Sequence, residues 1–211
     1  MMSIVRSESR SPAHGRAGSL TARTALTVAV LVLLAACGTD AADADRASSI
    51  AYHSPVYGYS ISHPRSWSVV EASRPLAAGE PPATSTGATD ILGRDASVRV
   101  SAMELPGVII AAQPVTKNVH LAQWTATMKD TVESMKDCAP PNRSEHLDIG
   151  GESATLLTYR DCPPDLGYLH LWAGVVHEGR GYHIVWFNDP GTEAADRATF
   201  KQMLSSMSFD E

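Results

Sequence analysis

Eight histidines and three cysteines are the residues of this chain best suited to metal binding or covalent chemistry. Their spacing decides how much of either is possible. A zinc site holds its ligands about 2 Å from one ion, so two histidines must share a strand face or a helix turn. His177-Glu178 begins like a His-Glu-x-x-His pair, but it stands in a glycine turn, Glu178-Gly179-Arg180-Gly181, and lacks the second histidine. With the turn closing at Gly179-Arg180, His183 is expected opposite Val176, with His170 about 20 Å further along the sheet and His177 on the other face. His53 and His63 fall toward opposite ends of an earlier hairpin. No Gly-x-Ser-x-Gly elbow, Walker loop or dinucleotide glycine pattern occurs. The expectation is a chain with no catalytic residue, no metal ligand and no cofactor, and therefore not an enzyme.

Two cysteines point to a structural bond. Cys138 and Cys162 flank two runs, Glu145 to Ile149 and Ser153 to Tyr159, joined by Gly150-Gly151. Closing that hairpin with a two- or three-residue loop brings the cysteines opposite each other or within one residue of it. That is close to the roughly 5.5 Å Cα separation a disulfide needs. Prolines follow both (Pro140-Pro141 and Pro163-Pro164) and stop the ladder there. In an oxidising compartment a Cys138–Cys162 bridge is expected. There is no Cys-x-x-Cys spacing to suggest a redox-active pair.

The third cysteine lies at the end of a leader. Arg6, Arg10, Arg16 and Arg23 precede the aliphatic run Ala25 to Ala36, which is shorter than the ~20 residues of a spanning helix and ends in small residues. Leu34-Ala35-Ala36-Cys37 resembles the lipobox of bacterial lipoprotein precursors. The resemblance implies export, removal of residues 1–36 as a signal peptide, and diacylglyceryl modification of Cys37. The whole chain carries 17 Lys+Arg against 23 Asp+Glu; without the leader, 13 stand against 22, a balance of −9. Phosphate backbones and anionic headgroups repel such a surface, so nucleic acid is not an expected partner. Membrane contact must come from the acyl chains, two or more of which hold stably. The expected address is the cell membrane, on its extracytoplasmic face.

Residues 37–49 are small and acidic, without an apolar period, and read as a flexible tether reaching about 20 Å. A single globular domain is expected over 50–211. Ile50 to His53 and Tyr57 to His63 read as a hairpin, Trp67 to Val70 as a strand, and Ala96 to Met103 as another. Ala72 to Thr89, punctuated by Pro and Gly, reads as a long loop, and Leu105 to Thr116 as a buried crossover. Helical period spans Val119 to Met135, with Leu121, Trp124, Met128, Val132 and Met135 in one stripe and Asn118 as cap. A last hairpin joins Tyr168–Val176 to Tyr182–Phe187. The closing helix places Phe200, Met203, Leu204 and Met207 at i, i+3, i+4 and i+7, behind the candidate cap Thr192. Consecutive hairpins with two helices predict an α+β fold, an antiparallel β-sheet covered by helices.

Three segments carry a family resemblance. Tyr57-Gly58-Tyr59-Ser60-Ile61-Ser62-His63-Pro64-Arg65-Ser66-Trp67 resembles the "YGFSISYPSGW" opening of PsbP-like (DcrB-like) domains. Ile149-Gly150-Gly151-Glu152-Ser153-Ala154 is similar to their "GG-x-x-A" hairpin, and Phe200 to Phe209 to their closing helix, with Met207 where the family usually has Phe. The resemblance implies an α/β/α sandwich in a group of lipoproteins and photosystem accessory subunits that mostly serve assembly, stability or binding. Residues and resemblance together lead to a membrane-anchored, non-catalytic binding or assembly factor with a protein partner at the cell envelope. The alternative is a carrier of a small apolar or lipidic ligand in a pocket lined by Trp124, Trp172 and Trp186.

Overall fold

The computed structural model describes residues 48–82, 85, 87–95, 104–134, 138–160, 169–187 and 192–211. Among these residues, ten strands and two helices follow one another: β1 (Ser49–Ser54), β2 (Tyr59–Pro64), β3 (Ser68–Val70), β4 (Asp90–Asp95), β5 (Glu104–Pro114), α1 (Leu121–Ser134), β6 (Arg143–Ile149), β7 (Glu152–Thr158), β8 (Leu169–His177), β9 (Arg180–Phe187), α2 (Glu193–Ser205) and β10 (Ser208–Phe209). The α+β class is as expected, but the strands form two antiparallel sheets in place of one. A seven-stranded sheet has the order β3-β4-β5-β9-β8-β7-β6, and a three-stranded sheet the order β1-β2-β10.

The larger sheet is the middle layer. On β9, Tyr182, Ile184 and Trp186 join the cluster that includes Tyr59 and Ile61 of β2 with Phe200 and Met203 of α2. The intervening Val185 and Phe187 join Trp124, Met128 and Val132 of α1 on the opposite face. This period-two division puts α1 on one side and the small sheet with α2 on the other. α1 approaches closely because two positions beneath it lack side chains. A Cβ on Gly174 would lie 2.1 Å from Met128 Cε, and one on Gly181 2.6 Å from the Trp124 ring. Helix α2 is tied to the sheet edge through Glu145 on β6, which pairs with Lys201 (2.8 Å), Arg143 (3.2 Å) and Arg197.

Several sequence expectations are corrected. The segment read as a crossover is β5, the strand between β4 and β9. Val108, Ile109, Ile110, Ala111 and Ala112 are all buried, so both faces are apolar and no alternation marks the strand. The strand expected at 96–103 lies outside the described residues. α1 begins at Leu121, and the N–H of His120 donates to Gln123 Oε1 (3.0 Å), half of a capping box, so Asn118 is not the cap. Thr192 does precede α2, without a side-chain capping bond.

The loop after β3 is part of the fold. Ala72, Leu76 and Ala88 are buried in the core. The Leu76 N–H donates to Tyr57 Oη (3.1 Å), and that hydroxyl donates to the Ala88 carbonyl. Asp90, wholly buried at the start of β4, accepts from Tyr52 Oη (2.9 Å), Tyr59 Oη (2.8 Å) and the Ala72 N–H (2.8 Å). Burial and the Asp90 charge both hold the Tyr52 and Tyr59 hydroxyls in their protonated, donating form.

Candidate functional site

Strand β10 pairs with β2 only at Tyr59 and Ser60. From Ile61 to Pro64 that edge of β2 meets the end of α2, and a pocket of about 310 Å³ opens between them. Ser48, Ser49, Ser62, His63 and Pro64 line one wall; Thr199, Gln202, Met203, Ser205 and Ser206 line the other. Ser206 joins the walls: its Oγ accepts from the Ser62 N–H (2.9 Å) and donates to the Met203 carbonyl (2.6 Å). Behind it, the Arg65 N–H donates to the Ser48 carbonyl (2.7 Å) and fixes the start of β1.

The chemistry of the lining follows from where its hydrogens go. Thr199 Oγ1 donates to the Ala195 carbonyl (3.2 Å) and Ser205 Oγ to the Gln202 carbonyl (2.8 Å), bonds that helix hydroxyls readily make to the preceding turn. His63 is 2% exposed, and its Nδ1 lies 3.0 Å from the Pro64 carbonyl. A carbonyl only accepts, so Nδ1 carries the hydrogen and Nε2 the lone pair. Burial lowers the His63 pKa, with the Pro64 bond opposing in part, and the ring is neutral at pH 7. Among the described residues the lining contains no carboxylate, lysine, arginine or cysteine.

The residues singled out in the sequence are distributed elsewhere. Cys37 and Cys162 lie outside the described residues. Cys138 is half-buried against the α1 cluster. The β6–β7 ladder has the two-residue loop and runs to Arg143 opposite Thr158, with the Asn142 N–H continuing it to the Thr158 carbonyl (3.0 Å). Trp124 and Trp172 pack on the α1 face, whereas Trp186 packs on the other, against Trp67 (5.5 Å) and Phe200 (5.3 Å). These three indoles therefore do not line one pocket. The β8–β9 turn is Glu178-Gly179, so His183 stands opposite Gly174 and not Val176. His177 is on the other face as expected, pairing with Glu152 (3.0 Å) and stacking on Phe209 (4.4 Å). Among the described residues, no group of three or more His, Cys, Asp or Glu side chains could hold a metal ion.

Sequence reading missed the pocket. A signal was present: Thr199, Gln202 and Ser205-Ser206 form a polar stripe at helical spacing beside the apolar stripe of α2. No family model matches the chain, and no curated protein matches it. Among solved structures, it is similar to cyanobacterial PsbP (CyanoP) from Synechocystis sp. PCC 6803, with a TM-score of 0.53 and 17% identity over 77% of this chain and 93% of that one. The chain thus has a PsbP-like fold, and at this identity the likeness is one of architecture.

Proposed function

We propose that the protein is a lipoprotein anchored through Cys37 on the extracytoplasmic face of the cell membrane, acting as a non-catalytic binding or assembly factor. The observation that carries this reading is the chemistry of the β2–α2 pocket. Among its described lining residues the one ionisable side chain, His63, is buried and neutral, and the hydroxyls of Thr199, Ser205 and Ser206 are bonded to the α2 backbone. His63, the one base among the described lining residues, makes no hydrogen bond to those hydroxyls, whose hydrogens go to backbone carbonyls, so they are not activated and the pocket is equipped to hold a guest and not to transform it. Its position also suits a tethered protein. Ser48 and Ser49, which line the pocket, are the last two residues of the expected acidic tether. Among the described residues Val70 is the only exposed large hydrophobic side chain, which favours a polar pocket over an apolar patch as the contact surface.

The carrier alternative needs space between the sheet and α1. There Met128 and Trp124 occupy the room left by Gly174 and Gly181, and the core is filled. The test has two arms. Cys37→Ala should abolish the acyl mass on the N-terminal peptide and release the protein from membranes. Crosslinked complexes from native membranes should be recovered with wild type and lost with Thr199→Trp, which fills the pocket. An unmodified wild-type N-terminus, or complexes indifferent to that substitution, would overturn the reading.

A further inference from the structure

We propose that the groove between β2 and α2 binds a neutral, hydroxyl-rich ligand, a sugar ring or a comparable polyol. The inference deepens the binding role proposed above and rests on it in taking this groove as the point of contact.

Charge selects first. Among the described residues the lining has no acidic or basic side chain other than the neutral His63, so an ammonium or a phosphate held by them would be desolvated without a countercharge. The guest must be uncharged.

Hydrogen-bond polarity selects next. A hydroxyl has one hydrogen and two lone pairs. Thr199, Ser205 and Ser206 give their hydrogens to the carbonyls of Ala195, Gln202 and Met203, and so offer lone pairs to the groove. His63 does likewise, because its Nδ1 hydrogen is held by the Pro64 carbonyl and Nε2 keeps the lone pair. The wall is therefore acceptor-rich, and a guest must bring O–H or N–H donors. An apolar guest would leave these acceptors without water or partner, a net loss. A sugar supplies several donors on one rigid ring, and its hydroxyls can also accept from the Gln202 amide, which carries both kinds of group. Pro64 and Met203 add the apolar contact that the C–H faces of such a ring need. The volume of about 310 Å³ is at the small end of ligand sites and suits one or two rings.

Titration of the isotope-labelled full chain in detergent with N-acetylglucosamine and with glucose, followed through amide and imidazole shifts, tests the proposal. Saturable shifts are expected at Ser62, His63, Ser205 and Ser206 with a Kd on the order of 1–10 mM for at least one sugar, against none from choline chloride or inorganic phosphate. Thr199→Trp should weaken binding about tenfold or more, and Ser205→Ala, which removes one acceptor, by about threefold; preserved shift dispersion elsewhere shows that each variant is folded. The proposal is overturned by the absence of saturable shifts at the groove, by an equal response to choline or phosphate, or by sugar binding that Thr199→Trp leaves unchanged. If the sugars fail while crosslinking in membranes still depends on Thr199→Trp, the ligand class falls and the binding role stands. If crosslinking is indifferent too, both fall.

Discussion

Replacing His183 should remove much of the acid sensitivity of this domain. The ring is 1% exposed on β9, between the indoles of Trp124 (4.5 Å) and Trp172 (5.4 Å), and its Nδ1 is buried without a partner. Burial alone pushes its pKa from the ordinary 6.5 down to about 3. In the unfolded chain the ring takes up a proton as pH falls through 6.5; in the folded chain it does not until about 3. Unfolding therefore binds a proton throughout that window, and stability that is fully present above pH 6.5 is lost on acidification. The slope is about 1.4 kcal/mol per pH unit, so roughly 2 kcal/mol should be gone at about pH 5. His63, also lowered by burial, contributes in the same direction, but it is common to both proteins and cancels in the comparison. Urea unfolding of wild type and His183→Leu, followed by tryptophan fluorescence at about pH 7.5 and about pH 5, measures the difference. The substitution will cost stability at both values through the cavity it leaves, so the quantity to read is the change between them. An acid-induced loss equal in the two proteins, within about 0.5 kcal/mol, would refute the placement of a neutral histidine in this core.

Three further substitutions and one mapping experiment have clear expected outcomes. Gly174→Ala forces a Cβ into the Met128 thioether and should cost about 1–3 kcal/mol by overpacking; a neutral result in thermal unfolding would mean that α1 does not sit where described. Asp90→Ala strands two tyrosine hydroxyls and the Ala72 N–H, at about 1–3 kcal/mol each less the relief of desolvating a carboxylate; a loss below about 1 kcal/mol in urea unfolding would contradict the network. Glu178 has φ 44° at the first position of a two-residue turn, where asparagine is favoured, so Glu178→Asn should stabilise by about 0.5–1 kcal/mol and raise the Tm. Non-reducing peptide mapping should recover Cys138 linked to Cys162, a bridge worth about 3 kcal/mol for a loop of this length; recovery of both as thiols would remove it.

What the sequence revealed tracks where the physics is local. The stripes Trp124-Met128-Val132 and Phe200-Met203-Leu204 were legible because one face of each helix is buried and the other wet. The β6–β7 hairpin was legible because Gly150 and Gly151, both at positive φ, mark its turn, although the sequence left a two- and a three-residue loop open and the ladder has the former. β4 was not, because its buried Asp90 reads as polar and Gly93 as a breaker, although the Asp90 carboxylate is satisfied by donors on β1, β2 and the loop between β3 and β4. The β8–β9 turn was misplaced by one residue because Glu178, unlike asparagine or glycine, gives no sign of the left-handed conformation it adopts. The groove was hidden for a different reason. It draws on β1, β2 and α2, segments brought together by the small sheet, and its polarity depends on which carbonyl each hydroxyl happens to face.

The loop from Ala72 to Thr89 shows how that distinction redirects the search for function. Its length and its prolines mark it in the sequence as a candidate recognition surface or a loose insertion. The structure gives it fixed internal and external bonds. Arg74 forms a two-point pair with Glu80, which also accepts from the Ala77 N–H (2.9 Å). The N–H groups of Ser73 and Arg74 donate to the Gly87 carbonyl (2.8 and 3.1 Å), and the Gly79 N–H reaches Gln113 Oε1 on β5 (3.0 Å). Tyr57 is the keystone: its hydroxyl holds Leu76 and Ala88, and its carbonyl accepts from Tyr182 Oη (2.8 Å) and Arg180 (3.1 Å). One residue thus locks the loop, the small sheet and the large sheet into a single unit. Exchanging this loop for a Gly-Ser linker would remove Leu76 and Ala88 from the core and take away the loop partners of the Tyr57 hydroxyl and the Ala72 N–H bond to Asp90, so it would damage the fold and could not isolate recognition. The Thr199→Trp substitution acts at a half-buried position of α2 that makes none of these bonds, and separates the two roles that the loop exchange would confound.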